Sequence, residues 1–111
     1  MEKFVKGDVV VIPFPFSDLS QSKRRPALVL APLEGDDAIL CQITSKSIKD
    51  DDAISVDDAD FESGGLKQPS NIRPNRLFTA DTHIILYRIG TIKKEKLNRV
   101  VNKVVEIIKD R

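Results

Sequence analysis

The sequence predicts a mainly β domain, a small and strongly curved antiparallel barrel with a C-terminal α-helix closing one side. Three observations carry that expectation. Short apolar, β-branched runs are separated by breaks rich in Pro, Gly, Asp and Ser. The hydrophobic period changes from strand-like to helix-like only after Thr91. At 111 residues, the chain has the length of one domain, here taken as residues 1–111, with room for an ordinary core.

The elements follow in order. Asp8 to Ile12 is a continuous β-branched run and reads as a buried strand. Pro13 and Pro15 lack ladder donors and are expected to end regular pairing there. Ser17 to Ser22 has no helical periodicity and reads as a polar loop, a candidate substrate-contacting lid. Lys23, Arg24 and Arg25 come next, directly before Pro26. A proline forces the residue before it into extended backbone, so the sequence mounts fixed cations at the start of a strand, Ala27 to Ala31. Ala38 to Thr44 is its partner, across the turn Pro32 to Asp37.

The apolar pattern sets the register of that hairpin. Leu28, Leu30, Ile39, Cys41 and Ile43 form one wholly apolar side, which must face the core. A slip of one residue would turn that side to water. Centring the turn between Glu34 and Gly35 sets Val29 opposite Leu40, Ala27 opposite Gln42, and Arg25 opposite Thr44. Arg25 and Thr44 are therefore expected side by side on the less apolar face.

Beyond Thr44 the chain is polar and acidic, with a short strand at Ala53 to Val56 and a flexible turn at Gly64-Gly65. Ile72 to Ala80 reads as a strand with an early Pro74, and His83 to Ile89 as a segment extended in part, ending at Gly90. Leu97, Val100, Val101, Val104, Val105 and Ile108 then line one face of an amphipathic helix, with Thr91 as its N-cap. The count is five to seven strands and one helix. Phe61 and Phe78 read as core residues; Phe14, Phe16 and Leu19 as loop anchors or dimer contacts.

Net charge is +1, but it is unevenly spread: residues 34–62 hold ten acids and two bases, residues 63–111 eleven bases and four acids. That split permits a basic face for a polyanion, although charge alone favours a solvated acidic loop beside a basic helix. Cys41 is the single cysteine and His83 the single histidine. This rules out an intrachain disulfide framework and any usual zinc site, and neither a cofactor nor a metal is expected. No apolar run suggests a signal peptide or a membrane span, so a cytoplasmic protein with no membrane partner is expected.

There is no P-loop, no Gly-rich dinucleotide turn and no Ser-His-Asp set. What remains is Arg25, Thr44, Ser45, Arg73, Arg76 and the loop before Lys23. Arginine forks suit phosphate oxygens. RNA brings its own nucleophile, the 2′-OH, so its cleavage by internal attack needs orientation, charge stabilisation and proton management.

Four stretches, GDVVVIPFPFSDLSQSKRRPALVL, CQITSKS, SNIRPNRLFTAD and IGTIKKEKL, together resemble the MazF/PemK family of toxin endoribonucleases over nearly the whole chain. The resemblance implies an SH3-like barrel of the MazF/CcdB kind and a homodimer. It also implies metal-independent cleavage of single-stranded RNA to 2′,3′-cyclic phosphate and 5′-OH ends, blocked by a cognate antitoxin. Carried over by motif, Arg25, Thr44 and Arg73 are the catalytic residues. Asp18, Lys23, Arg24, Ser45, Asn75 and Arg76 are the substrate contacts. The chain departs from one branch of the family in having Asn75 where that branch has an acid, and no histidine in the first loop. Asp18 is then the nearest candidate for a base. Two other functions stay open: a non-catalytic, CcdB-like toxin that binds gyrase, and a degenerate member that binds RNA without cleaving it.

Overall fold

A computed structural model describes residues 3–14 and 23–111. Seven antiparallel strands form one curled sheet: β1 (Asp8–Phe14), β2 (Lys23–Pro32), β3 (Asp37–Thr44), β4 (Ile54–Val56), β5 (Phe61–Gly64), β6 (Ser70–Asp81) and β7 (Tyr87–Ile92). Their order is β4-β6-β3-β2-β1-β7-β5, and among the described residues one α-helix, α1 (Lys94–Asp110), follows. Short 3-10 turns occupy Asp58–Asp60 and Thr82–Ile84.

The hairpin has the register that its apolar pattern demands. Ala27 pairs with Gln42, Leu28 with Cys41 and Val29 with Leu40. The register shifts between Val29 and Ala31, so the turn end is offset by one residue. Leu28, Leu30, Cys41 and Ile43 join Val9, Ile72, Ile92, Leu97 and Val100 in one buried cluster, against which Ile39 packs. Each such aliphatic side chain, fully buried, contributes roughly 2 kcal/mol. The opposite face carries its own cluster of Val10, Ile12, Ala27, Val29, Ala38, Leu40 and Ala80, flanked by Phe14 and Phe78. The two rings lie 6.3 Å apart, tilted at 50°. Phe61 is buried in the first cluster, as read from the sequence.

Several boundaries differ from expectation. Pro13 does not end pairing: β1 runs to Phe14, opposite Lys23. Its pairing with β7 stops at Val11, so Pro13 lies where β1 is paired on one side only, the setting that tolerates proline. The three cations are accordingly inside β2 rather than ahead of it. Pro74 is absorbed by a bulge, since Gln42 pairs with Arg73 while Cys41 pairs with Leu77. Thr91 is a residue of β7, not a helix cap; its hydroxyl donates to the buried Asp8 (Oγ1–Oδ1 3.0 Å). Lys93 takes the N-cap position without a side-chain bond. On α1, Leu97 and Val100 are buried and Val101 and Val104 pack partly, but Val105 and Ile108 are exposed.

Gly64-Gly65 is not a free turn. Gly64 ends β5 opposite Gly90 of β7, at φ +71°, and a Cβ there would lie 2.0 Å from the Ile89 carbonyl oxygen. A Cβ on Gly90 would lie 2.4 Å from the Ser63 carbonyl oxygen. The two glycines let β5 and β7 close on each other. Gly35 has a similar φ of +74° but open space around it. Gly64→Ala is therefore expected to cost roughly 3 kcal/mol, whereas Gly35→Ala should cost only the conformational penalty of about 1 kcal/mol. Equal urea midpoints for the two variants would contradict this account of the β5–β7 crossing.

Candidate active site

The basic end of β2 and the last residues of β3 open onto a cavity of about 400 Å³. Alternation along the strands decides what each contributes. Ile12 pairs with Arg25, and Ile12 belongs to the second apolar cluster, so Arg25 projects on that face. Continuing the Ala27–Gln42 register by two residues sets Thr44 opposite Arg25. Arg24 and Ser45 alternate onto the other face, that of Leu28 and Ile43. All four residues line the one cavity. Thr44 is 8% exposed, and its hydroxyl accepts the backbone N–H of Lys46 (3.2 Å), which fixes the turn out of β3. Lys23, at the exposed start of β2, stands one strand position further out and is not part of the lining.

Arg73 shares the face of Arg25 and Thr44. It pairs with Gln42, two positions from the Asn71–Thr44 pair, so it is the diagonal cross-strand neighbour of Thr44. Yet Arg73 does not line the cavity. Its Nε donates to Asp50 Oδ2 at 3.2 Å, and Asn75 Nδ2 donates to Asp50 Oδ1 at 3.1 Å. No sequence pattern signals this contact: Asp50 lies 23 residues before Arg73, in an acidic run. Burial pushes the Asp50 carboxyl up, but hydrogen bonds from the Asp52 backbone, Asn75 and Arg73 outweigh it and hold the group below its ordinary 3.8. A carboxylate held this way is a weak base and a firm anchor. Arg76, in the same bulge, is exposed and outside the cavity lining. Asp18, the candidate base and substrate contact, lies outside the described residues.

The opposite wall of the cavity was not anticipated. It is the connection from β5 to β6, through Gly65, Leu66, Lys67, Gln68 and Ser70. Two bonds from backbone N–H groups set its path: Gly65 N–H to the Ile89 carbonyl (3.3 Å) and Leu66 N–H to the Asp58 side-chain Oδ1 (3.0 Å). Tyr87 and Ile89 of β7, with Val11 and Pro26, complete the lining. A polar tract bounded by Gly64-Gly65 and Pro69 reads as a plain loop; what makes it a wall is the distant strand β7 against which it lies.

The acidic segment is also less free than its composition suggests. Asp52 takes both terminal nitrogens of Arg111 at 2.6 and 2.8 Å, and Asp60 pairs with Lys96 of α1 at 3.4 Å. The negative half of the sequence is in part neutralised by the positive half within the fold.

Comparison with known proteins bears on this arrangement. A family model described as "PemK-like, MazF-like toxin of type II toxin-antitoxin system" matches residues 5–108. No curated protein matches the chain. Among solved structures, a mycobacterial endoribonuclease in complex with its cognate antitoxin superposes with a TM-score of 0.75 at 9% identity, over 96% of this chain and 95% of that one. The Mycobacterium tuberculosis toxin MazF-mt6 gives 0.71 at 17% identity, over 91% and 95%. The MazE–MazF complex of Deinococcus radiodurans gives 0.73 at 18% identity, over 98% of each chain. At such identities the likeness speaks for the fold, and it agrees with the curled sheet and C-terminal helix described above.

Asp50→Asn should lower stability at neutral pH by about 2 kcal/mol, because two donors lose a charged acceptor. The folded-state pKa is depressed, so this contribution is present above the ordinary 3.8 and is lost as pH falls below it. The gap between wild type and variant in denaturant midpoint should therefore narrow on acidification through that range. A gap independent of pH would show that the Asp50 charge is not what holds Arg73 and Asn75.

Proposed function

The chain belongs to the PemK-like, MazF-like toxin family of type II toxin–antitoxin systems, and from that premise we propose that it is an endoribonuclease that cuts single-stranded RNA, mRNA included, at short sequences without a metal ion. The toxin domain in this reading is the whole of residues 1–111. The observation that carries the reading is one cavity lined by Arg24, Arg25, Thr44 and Ser45.

In this mechanism the substrate supplies the nucleophile. The 2′-oxygen attacks the adjacent phosphorus, the bond to the 5′-oxygen breaks, and the products carry a 2′,3′-cyclic phosphate and a 5′-OH. Arg25 places fixed positive charge against the phosphoryl oxygens as negative charge builds on them, the role in which electrostatic preorganisation is strongest; Arg24, the preceding residue of the strand, adds to the local positive field from its other face. The Thr44 and Ser45 hydroxyls orient the phosphodiester or the ribose. Arg73 acts from the neighbouring strand, its guanidinium set by Asp50. Among the described residues that line the cavity there is no carboxylate or imidazole, so the proton acceptor assigned here is Asp18. Lys23 and Arg76 are exposed cations that extend the attraction for a polyanion beyond the cavity, and Asn75 contributes by tethering Asp50.

The partners in this reading are single-stranded RNA, a cognate antitoxin and a second copy of the chain. Antitoxin binding is drawn from relatives solved with theirs, and dimerisation from the family.

The test is to incubate the purified protein with a long single-stranded RNA in excess EDTA and map the 5′ ends. Discrete cuts with 5′-OH ends are expected. Arg25→Ala should slow them by at least about 100-fold, the scale for loss of a charge-stabilising group, and Thr44→Val by about ten-fold or more. Intact RNA, from protein free of antitoxin, would overturn the nuclease reading in favour of gyrase binding or a silent relative.

A further inference from the structure

The cavity beside the arginines has a second character that phosphate binding does not use. Val11, Pro26, Ile43, Leu66, Tyr87 and Ile89 make much of its wall apolar. A site for a phosphodiester alone would be polar throughout. Apolar walls next to two guanidinium groups suit a ligand with one charged part and one flat apolar part. The volume of about 400 Å³ is in the range that encloses a small ligand, and it has room for a base with its sugar.

Tyr87 is set apart from the apolar core. It belongs to neither buried cluster and is 46% exposed. Its backbone is nevertheless fixed, because β7 pairs it with Val11 of β1. A ring held on a strand, half in water and beside cations, is a stacking platform of the kind that single-stranded nucleic acids occupy with an unpaired base. The connection Gly65–Ser70, which lines the same cavity, offers the exposed Gln68 and Lys67. Those side chains and the backbone of the segment can meet a base edge.

We infer that Tyr87 is a specificity-determining residue: an unstacked nucleobase next to the scissile phosphate lies on its ring, and the Gly65–Ser70 wall reads that base's edge. This rests on the ribonuclease reading and deepens it. The arginines and Thr44 hold the phosphate, while Tyr87 and the Gly65–Ser70 wall choose which phosphate arrives.

The chain has one tyrosine and no tryptophan, so its tyrosine emission reports on Tyr87 alone. The probe is a 2′-O-methyl oligoribonucleotide carrying the mapped cut site, which lacks the attacking hydroxyl and stays intact. Saturable quenching is expected. An abasic position beside the cut bond should abolish it and weaken binding roughly ten-fold, the scale of one stacked base. Tyr87→Ala should lose the same factor and be insensitive to the abasic change, whereas Tyr87→Phe, which keeps the ring, should bind within about two-fold of wild type. If the wild type cuts ordinary RNA but its emission is unmoved, and Tyr87→Ala cuts the same sites at the same rate, the inference fails and the ribonuclease reading stands. RNA neither bound nor cut overturns both. Quenching by an acidic peptide but not by RNA overturns the inference and assigns the cavity to a protein partner.

Discussion

One side of β2 and β3 has to be dry, and most of the molecule follows from that constraint. Leu28, Leu30, Cys41 and Ile43 share one buried cluster, and a one-residue slip would turn all of them away from it. The pairing they impose brings the basic end of β2 beside the threonine end of β3. Through the pairing of β3 with β6 it also sets Arg73 diagonally across from Thr44. Aliphatic burial, which has no chemistry of its own, thus aligns three polar residues that come from three strands. Burial also pushes the Cys41 thiol up to about 12, so this cysteine is a neutral core residue and not a nucleophile.

What could be read from the chain alone was whatever repeats with a simple period. The hairpin register, the core face of the helix at Leu97 and Val100, and the adjacency of Arg25 and Thr44 all rest on alternation or on helical spacing. What escaped was set by contacts without periodicity. Pro13 continues a strand because β7 has already stopped pairing there. Thr91 is drawn into β7 with its hydroxyl on Asp8, 83 residues away in sequence. Gly64 and Gly90 look like turn glycines until two strands are known to meet at them. Asp50 was one acid among ten in its stretch, and only the folded chain sets it against Arg73 and Asn75. The exposed end of the helix shows the reverse limit: Val105 and Ile108 keep the spacing of a buried face but run past the core that would cover them.

Charge tells a similar story. A sequence with its acids in one half and its bases in the other suggests two surfaces of opposite sign. The fold instead spends part of that charge internally, on the contacts of Asp50 with Arg73, Asp52 with Arg111 and Asp60 with Lys96. The first two tie the long β3–β4 connection to β6 and to the residue after α1, and the third ties the 3-10 turn before β5 to α1. The cations at the mouth of the cavity, Arg24 and Arg25, belong to the nearly balanced first third of the chain. The positive character of the site is therefore local to β2 and owes nothing to the net charge of the protein.

The two walls of the cavity differ in how they are built. The strands β2 and β3 are bound on both sides within the sheet, and a change there disturbs the core. The Gly65–Ser70 connection is pinned at its start by Asp58 and Ile89 and enters β6 at its end, but between those points it carries no strand. Loops anchored at both ends accept insertion and exchange far more readily than the elements they join. The architecture is thus modular: one wall can be rewritten over evolution, or by design, while the opposing arginines and threonine stay where the hydrophobic register puts them.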